Sequence, residues 1–359
     1  MSNDDASRQI TTSALPRSGP APCMERRRGS PWRVGVLGWT RSLTLVLPLL
    51  WAFAACGGST RDGAAGSDAA VPEEAFVPPR DTDILVAELL WETAGPPSIG
   101  APTNLTRRPD YDNQPSFVPD GSGLWYTVND PQAGQADIWR YDFASATVAP
   151  VTQSNPESEY SATPLPSGDG VSVIRVEADS TQRLWRFDLD GSNGSVLLAN
   201  VAPVGYHAWV DENTVVMFVL GAPPTLQVGD LRTGRARVVT EDIGRSIQRI
   251  PDSFDVSFVQ RHEDGTSTIM RLPGSGGDPT PIIEAVGGGD FHAWAPDGTL
   301  LMAQGPIVYA AVPAETRTWT PVADFSDLRI VITRLAVSPD ASQIALVAEV
   351  APLDAFPGN

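Results

Sequence analysis

The sequence of 359 residues predicts an all-β fold, a six-bladed β-propeller of four-stranded antiparallel blades whose last blade is shared by N- and C-terminal strands. Three observations predict it. A turn signature recurs at nearly constant spacing, short alternating segments fill each interval, and the segments that the last repeat lacks occur ahead of the first. A repeat of about 40 to 50 residues is the length of one propeller blade.

The turn signature is clearest in Ser-Phe-Val-Pro-Asp-Gly, residues 116–121. Proline presets φ for the turn, aspartate hydrogen-bonds the local backbone, and glycine accepts a positive φ. Equivalent turns are marked by Pro119, Pro166, Asp211, Pro251, Pro296 and Pro339. Neighbouring markers are 47, 45, 40, 45 and 43 residues apart. This recurrence predicts six hairpins, each supplying the two inner strands of one blade.

Two further strands are expected after each of the first five hairpins. The predicted third strands are 137–143, 183–189, 226–231, 268–272 and 307–312, and the predicted fourth strands are 149–153, 195–200, 237–241, 281–285 and 319–323. Most of the third strands alternate apolar and polar residues, which is the period of a strand with one packed face.

The last hairpin, residues 333–349, has no such pair behind it. The missing strands are predicted at the other end of the propeller, at 83–90 and 103–107. A blade shared by the two ends closes the ring without a covalent link and leaves only short, protected strand edges.

The first 55 residues are predicted to be a signal sequence. Met24 opens a basic stretch, Glu-Arg-Arg-Arg, so the natural start is placed at Met24 as an alternative to Met1. The apolar run Leu43–Ala55 and the small residues at its end complete the order of a secretory signal. Thirteen apolar residues are shorter than the roughly 20 that span a bilayer. A single transmembrane anchor is the alternative interpretation.

The sequence Phe-Ala-Ala-Cys-Gly that ends this run resembles the lipobox of bacterial lipoproteins. The resemblance implies that Cys56 is acylated and becomes the mature N-terminus, and Gly57 behind it resembles a signal for the outer membrane. Stable anchoring takes more than one acyl chain. Residues 56–80 are predicted to be the acylated cysteine and a flexible tether, and 81–359 the propeller.

Composition narrows the class of function. The chain carries 43 acidic and 25 basic residues, a formal net charge of −18, and every basic residue is arginine. An acidic surface repels phosphates, which argues against nucleic-acid binding. The absence of lysine excludes lysine Schiff-base chemistry. The two cysteines, Cys23 and Cys56, lie outside the repeats, so the propeller has no disulfide and depends on its core.

The repeat itself resembles a known family. Asp-Tyr-Asp-Asn-Gln-Pro-Ser-Phe-Val-Pro-Asp-Gly, residues 110–121, and Asp-Leu-Asp-Gly-Ser-Asn, residues 188–193, are similar to the repeats of TolB-like, or PD40 (WD40-like), propellers. The resemblance implies the fold and an envelope location, whereas propellers host many unrelated functions. TolB itself resembles a soluble periplasmic protein with an additional α/β domain ahead of the propeller. Here only the predicted tether separates Cys56 from the first predicted strand, so the resemblance does not assign a Tol–Pal role.

Two histidines are candidate metal ligands. His207 and His292 stand four residues before their turn markers, in Tyr-His-Ala-Trp and Phe-His-Ala-Trp, on strands predicted to line the axial channel. Two imidazoles with nearby carboxylates can hold a divalent cation, which would be the one cofactor. The favoured interpretation is that both histidines are repeat residues that pack beside Trp209 and Trp294.

A binding rim is predicted where the innermost strands begin. Its residues are Asn113, Tyr160, Tyr206, Asp290 and Arg334. No catalytic residue is assigned, because the sequence contains no Gly-x-Ser-x-Gly elbow, phosphate-binding loop or His-Glu-x-x-His. The predicted function is a lipid-anchored envelope protein, at the outer membrane, whose propeller binds a protein partner without catalysis. The alternative is a carbohydrate-active or metal-dependent enzyme, or binding protein, with its site in the channel.

Overall fold

The computed structural model describes residues 81–93 and 95–350, which form 25 β-strands and two short 3-10 turns. The strands build six antiparallel sheets arranged as a six-bladed β-propeller, which confirms the predicted fold class. The predicted signal sequence, Cys56 and the tether lie outside the described residues. No helix within the described ranges has the length and apolar character needed to cross a membrane.

The strands are numbered along the chain. They are β1 (Asp83–Leu90), β2 (Ser98–Ile99), β3 (Thr103–Asn104), β4 (Asp112–Phe117), β5 (Gly123–Asp130), β6 (Gln135–Asp142), β7 (Thr147–Pro150), β8 (Ser158–Pro164), β9 (Gly170–Val176), β10 (Gln182–Asp188), β11 (Ser195–Leu197), β12 (Val204–Trp209) and β13 (Thr214–Val219). They continue with β14 (Thr225–Asp230), β15 (Arg235–Glu241), β16 (Ile243–Arg249), β17 (Val256–Arg261), β18 (Ser267–Leu272), β19 (Thr280–Glu284), β20 (His292–Trp294), β21 (Leu300–Gln304), β22 (Ile307–Ala311), β23 (Thr320–Asp324), β24 (Ile330–Val337) and β25 (Gln343–Val350). The 3-10 turns are Val286–Gly288 and Ser326–Leu328.

Each blade follows the chain outward from its first strand. Blades 1 to 5 are β4–β7, β8–β11, β12–β15, β16–β19 and β20–β23. Blade 6 joins the two ends: β24 pairs with β25, β25 pairs with β1, and β1 pairs with both β2 and β3. The register between the ends runs from Asp83 opposite Ala348 to Glu88 opposite Gln343. The shared blade is therefore confirmed.

The outer edge of blade 6 differs from the single strand predicted at 103–107. Two short strands, β2 and β3, take its place, and both pair with β1. Prolines at 96, 97 and 102 interrupt the segment. Because proline lacks an N–H, a continuous edge strand cannot form across these positions.

The outer strand of blade 1 is also displaced from its prediction at 149–153. It is Thr147–Pro150, and the chain then turns inward. The Oγ1 atom of Thr152, a buried side chain, accepts the backbone N–H of Ile138 at 2.9 Å. A threonine side chain thus replaces the carbonyl that a longer strand would supply.

The core lies between neighbouring blades. On blade 6, Ile344 and Leu346 pack with blade 5 residues such as Leu301 and Val308. Alternate residues on the opposite face, including Ile84 and Ala345, pack with blade 1. Since successive side chains of a strand point to opposite faces, one strand serves two interfaces. Both chain ends therefore take part in holding the ring closed.

Candidate functional site

An axial cavity of about 720 Å³ is lined by the innermost strand of every blade, namely β4, β8, β12, β16, β20 and β24, and by the turns that follow them. A cavity of this size holds a drug-sized ligand or a short peptide segment. The six strands therefore place their side chains around one common space.

The wall of the cavity follows the repeat. Five residues before each turn marker stand Gln114, Ser161, Tyr206, Ser246, Phe291 and Arg334, and all six line the cavity. Three residues before each marker stand Ser116, Thr163, Ala208, Gln248, Ala293 and Ala336, which also line it. The spacing of two places both sets on one face of their strands. We call the set three residues before the markers the inner ring, and its side chains are uncharged and mostly small. The set five residues before the markers is the outer ring, which carries Tyr206, Phe291 and Arg334.

We call the end of the cavity where the innermost strands begin the strand-start mouth, formed by Gln114, Ser161, Tyr206, Phe291 and Arg334 with Arg245. The register between the innermost strand and its neighbour shifts here in blades 1 to 4 and in blade 6, for example between Asn113 and Ser116 and between Ile243 and Ile247. Such β-bulges redirect side chains and are frequent beside binding sites.

Two bulged residues of the mouth adopt an unusual backbone. Gln114 and Ser161 have φ values of 57° and 56°, in the left-handed region that residues other than glycine rarely enter. The Oε1 atom of Gln114 accepts the backbone N–H of Ser161 at 2.7 Å and the hydroxyl of Thr127 at 2.9 Å. The bond to Ser161 joins blades 1 and 2, and the bond to Thr127 lies within blade 1. The mouth is therefore held by a specific contact between blades.

Arg334 is fixed by three contacts across the mouth. Its Nη2 atom donates to the hydroxyl of Tyr206 at 2.8 Å. Its Cζ atom lies 4.0 Å from the ring centroid of Phe291 and 5.0 Å from that of Tyr206. A guanidinium over aromatic faces gains cation–π attraction. The mouth thus presents a preorganised positive group.

The electrostatic surroundings of Tyr111 connect this arginine to others. Burial raises the pKa of Tyr111, and the positive charges of Arg334 and Arg245 oppose that rise. Tyr206 and Tyr160 act on the same phenol in the raising direction. The phenol of Tyr111 is therefore within electrostatic range of Tyr206, Tyr160, Arg334 and Arg245.

The predicted histidine pair occupies a structural position. The Nε2 atom of His207 is 2.7 Å from the hydroxyl of Ser172, which also accepts the indole N–H of Trp209 at 2.9 Å. Ser172 lies on β9 of blade 2, whereas His207 and Trp209 lie on β12 of blade 3. The three side chains therefore link adjacent blades.

The same arrangement recurs two blades later. The Nε2 atom of His292 is 2.8 Å from the hydroxyl of Ser257, which accepts the indole N–H of Trp294 at 2.8 Å. Burial lowers the pKa of both His207 and His292 to about 3. Both imidazoles are therefore neutral at pH 7 and engaged within the fold. We call each set of three a His-Ser-Trp link.

The metal prediction gains no support from this geometry. Each Nε2 atom is committed to a serine on a different blade. Across the part of the chain that is described, no group of three or more His, Cys, Asp or Glu is placed to hold a metal ion. The contacts agree with the interpretation favoured from the sequence, that both histidines pack beside Trp209 and Trp294.

Two buried carboxylates stand seven residues before their markers, on β4 and β8. Burial raises the pKa of Asp112 to about 6, against the opposing effect of Arg108, which donates to it at 2.9 Å. Burial raises the pKa of Glu159 to about 7, against the opposing hydrogen bond from Ser154 and the charge of Arg175. Both side chains are absent from the cavity wall. Asp112 is hydrogen-bonded to Arg108 and Glu159 to Ser154, so each carboxylate fixes the beginning of its strand, β4 or β8, to a preceding segment.

No family model matches the sequence, and no curated protein matches it. Among solved structures, a putative TolB from Agrobacterium tumefaciens matches with a TM-score of 0.57 and 15% identity, over 78% of this chain and 99% of that one. The fold is a TolB-like propeller.

Two other structures resemble the TolB-like propeller described here. A chain of the nidogen/laminin complex matches with a TM-score of 0.51 and 12% identity, over 76% of this chain and all (100%) of that one. TolB from Acinetobacter baumannii matches with a TM-score of 0.49 and 12% identity over 75% of this chain, which spans 64% of its length. At these identities the likeness concerns the fold.

The TolB-like propeller brings two of the five predicted rim residues to the cavity, Tyr206 and Arg334. Tyr160 lies close enough to influence Tyr111 but is outside the cavity wall. Asn113 is 5% exposed and donates to Thr82, so it is part of the core. Asp290 forms a bidentate ion pair with Arg261 on β17. The role of these residues as a rim stays a prediction.

Residues of the strand-start mouth that the sequence analysis did not select are Gln114, Ser161, Arg245 and Phe291. Counting back from the turn markers to the fifth residue selects all but Arg245. Arg245 lies one residue earlier, in the bulge of β16. Bulges change the count in a way that the repeat spacing does not reveal.

Proposed function

We propose that this chain is an exported lipoprotein of the cell envelope, anchored at the outer membrane, whose TolB-like propeller binds a protein partner through its axial cavity without catalysis. The observation that carries this proposal is the cavity itself, a space of about 720 Å³ with preorganised aromatic and arginine side chains at one mouth. A rigid ring that presents such a mouth suits recognition of an inserted segment.

Binding is favoured over catalysis by the residues of the wall. A general acid or base that works near pH 7 needs a pKa near that value and access to substrate. His207 and His292 are buried, with pKa values lowered to about 3. Hydrolysis of sugars uses a pair of carboxylates. The described residues that line the cavity include no Asp or Glu. A glycosidase of the two-carboxylate kind therefore finds no such pair among the described residues of the cavity wall.

The envelope location is supported by the sequence order of basic residues, apolar run and Cys56, together with the TolB-like fold. The acidic composition, with a formal net charge of −18, suits neither nucleic acid nor an anionic membrane surface as the direct ligand of the propeller. The membrane contact is assigned to the acyl chains on Cys56.

Acylation is tested by metabolic labelling with a clickable palmitate analogue in a bacterial host. The wild-type chain is expected to incorporate label and to sediment with membranes, because Cys56 carries the acyl chains. Cys56→Ser is expected to lose both properties. Cys23→Ser is the matched control, since Cys23 is the other cysteine and precedes Met24. Labelling that survives Cys56→Ser would show that the anchor is wrong.

Partner binding is tested by cross-linking in cells and recovery from envelope membranes. Ala336→Trp places a large side chain on the inner ring of the cavity and is expected to reduce recovery of the partner strongly. Val238→Trp, at a position 58% exposed on β15, is the control and is expected to recover the partner as the wild type does. The thermal unfolding of both variants is measured first, and recovery is compared only if both unfold at the same temperature. Equal recovery with Ala336→Trp would exclude the cavity as the binding site.

A further inference from the structure

The charge of the cavity wall is opposite to that of the protein. The chain has a formal net charge of −18, yet the charged residues among the described lining of the cavity are Arg245, Arg249 and Arg334. Eight other described arginines pair with carboxylates, namely Arg108, Arg140, Arg175, Arg183, Arg186, Arg232, Arg261 and Arg271. None of the three cavity arginines has such a partner within the described residues. Arg107, Arg235, Arg237, Arg317 and Arg329 also have no carboxylate partner among the described residues, but these five do not line the cavity. The three cavity arginines therefore place unneutralised positive charge where a ligand can reach it.

Arg334 retains most of its hydrogen-bonding capacity. A guanidinium has five N–H donors in a rigid fork, and one of them is used here, on the Tyr206 hydroxyl. Stacking on Phe291 and Tyr206 fixes the plane of the group without consuming its other donors. Since the side chain is already ordered, a ligand that pairs with it pays little additional conformational entropy.

Arg245 supplies the second charge. It is exposed, lies in the bulge of β16, and forms no hydrogen bond or ion pair with any described residue. Arg245 and Arg334 line the same cavity, and the positive charges of both oppose the raised pKa of Tyr111. An anion bound in the cavity can therefore be attracted by both cations.

We propose that the strand-start mouth binds a carboxylate group, held by Arg334 and Arg245, with the hydroxyl group of Tyr206 beside it. The guanidinium fork matches the two oxygens of a carboxylate. This inference rests on the proposed function of the cavity as the binding site, and adds the chemistry that the site recognises. The carboxylate comes from a side chain or C-terminus of the inserted partner segment, or from a small free acid.

A carboxylate suits the mouth better than a phosphate for two reasons. Phosphate sites are commonly built from clustered backbone N–H groups at a helix N-terminus or a glycine-rich loop. The innermost strands here use their backbone in sheets, and the described elements include no α-helix. The formal net charge of the chain, −18, also repels a doubly charged phosphate more strongly than a single carboxylate.

The test is isothermal titration calorimetry of the propeller at low ionic strength with two matched peptides. The probe is acetyl-Ala-Glu-Ala-amide, and acetyl-Ala-Gln-Ala-amide is its neutral isostere. Arg334→Gln and Arg245→Gln are each expected to weaken binding of the glutamate peptide about 10- to 100-fold, as loss of one charge-assisted hydrogen bond predicts. Arg317→Gln removes the same charge from an exposed turn and is expected to bind as the wild type does. Arg334→Lys tests the fork and is expected to bind more weakly than the wild type.

The outcomes separate the hypotheses. The site and a peptide source are supported if the glutamate peptide binds more tightly than the glutamine peptide and if Arg334→Gln and Arg245→Gln both lose that binding. Binding of citrate alone, with the same dependence on Arg334, supports the site and assigns it to a small acid. Equal binding of both peptides, binding of inorganic phosphate alone, or no effect of either arginine variant overturns it. If the peptides do not bind as expected but Ala336→Trp still reduces recovery of the partner, the carboxylate site is wrong and the proposed function of the cavity is retained.

Discussion

Removal of β1 is expected to abolish the folded propeller. A chain that begins at Gly100 lacks the strand that pairs with β25 along its length, and with it the buried side chains of Ile84, Leu85 and Leu89. Burying one such side chain contributes about 1.5 to 3 kcal/mol, so the sum approaches the whole stability of about 5 to 15 kcal/mol of a typical domain. The packed faces of blades 1 and 5 would both be exposed. We expect insoluble protein without cooperative thermal unfolding.

Two controls separate ring closure from the loss of residues in general. A chain that begins at residue 73 keeps β1 and is expected to unfold cooperatively, as the full chain does. In the intact chain, Ile84→Asp places a charge at a fully buried position of β1 and is expected to cost more than about 4 kcal/mol. Glu88→Gln, at an exposed position of the same strand, is expected to cost little. Cooperative unfolding of the chain from Gly100 would contradict closure by the termini.

Loss of the serine from a His-Ser-Trp link is expected to destabilise the propeller by about 2 to 5 kcal/mol, because each buried polar group left without a partner costs about 1 to 3 kcal/mol. Ser172→Ala leaves the indole N–H of Trp209 and the Nε2 atom of His207 unpaired between blades 2 and 3. Ser257→Ala does the same between blades 4 and 5. Chemical denaturation measures the effect, and Ser195→Ala, at an exposed position, is the control.

The pH dependence of stability gives a second measure of the same links. Both imidazoles have pKa values lowered to about 3, whereas an unfolded histidine titrates near 6.5. Below pH 6.5 the unfolded chain binds protons at these two positions that the folded chain does not, so the contribution of the two imidazoles to the free energy of unfolding falls as the pH falls toward 3. The raised pKa values of Asp112 and Glu159 act in the opposite direction, and both variant and wild type carry them. At pH 5 each imidazole accounts for a loss of about 2 kcal/mol.

The double variant His207→Gln and His292→Gln is therefore expected to lose about 4 kcal/mol less than the wild type between pH 7 and pH 5. His262→Gln, at an exposed position, is expected to follow the wild type. A wild type and double variant with parallel pH profiles would show that the two histidines are not buried in neutral form.

Most of the propeller could be predicted because its signals are local. The Pro-Asp-Gly turns, their spacing and the period of two are properties of consecutive residues, and they predicted β1 at the bounds observed, Asp83–Leu90. Predictions failed at outer strands, at 103–107 and 149–153. There the deciding factors were side chains: Asn104 accepts the backbone N–H groups of Thr106 and Arg107 where β3 ends, and Thr152 accepts that of Ile138 from another strand.

The candidate site was predictable in part for the same reason. Tyr206 and Arg334 stand at equivalent positions of their repeats, so a count from the turn markers finds them. The same count finds Gln114, but Arg245 lies one residue earlier, in the bulge of β16, where an inserted residue breaks the relation between count and direction. Asn113 and Asp290 each stand six residues before their turn markers. The side chain of Asn113 bonds to Thr82 and that of Asp290 to Arg261, and neither lines the cavity.

The sequence by itself determined the repeat, the number of blades and the sharing of the last blade between the ends, because each depends on local turn chemistry and alternation. Only the tertiary structure decided which side chains meet across blades. Whether His207 is a ligand or part of a link depends on Ser172, 35 residues away along the chain. Whether an arginine is neutralised or free depends on which carboxylate the neighbouring strand brings within about 4 Å, a distance that residue spacing does not encode.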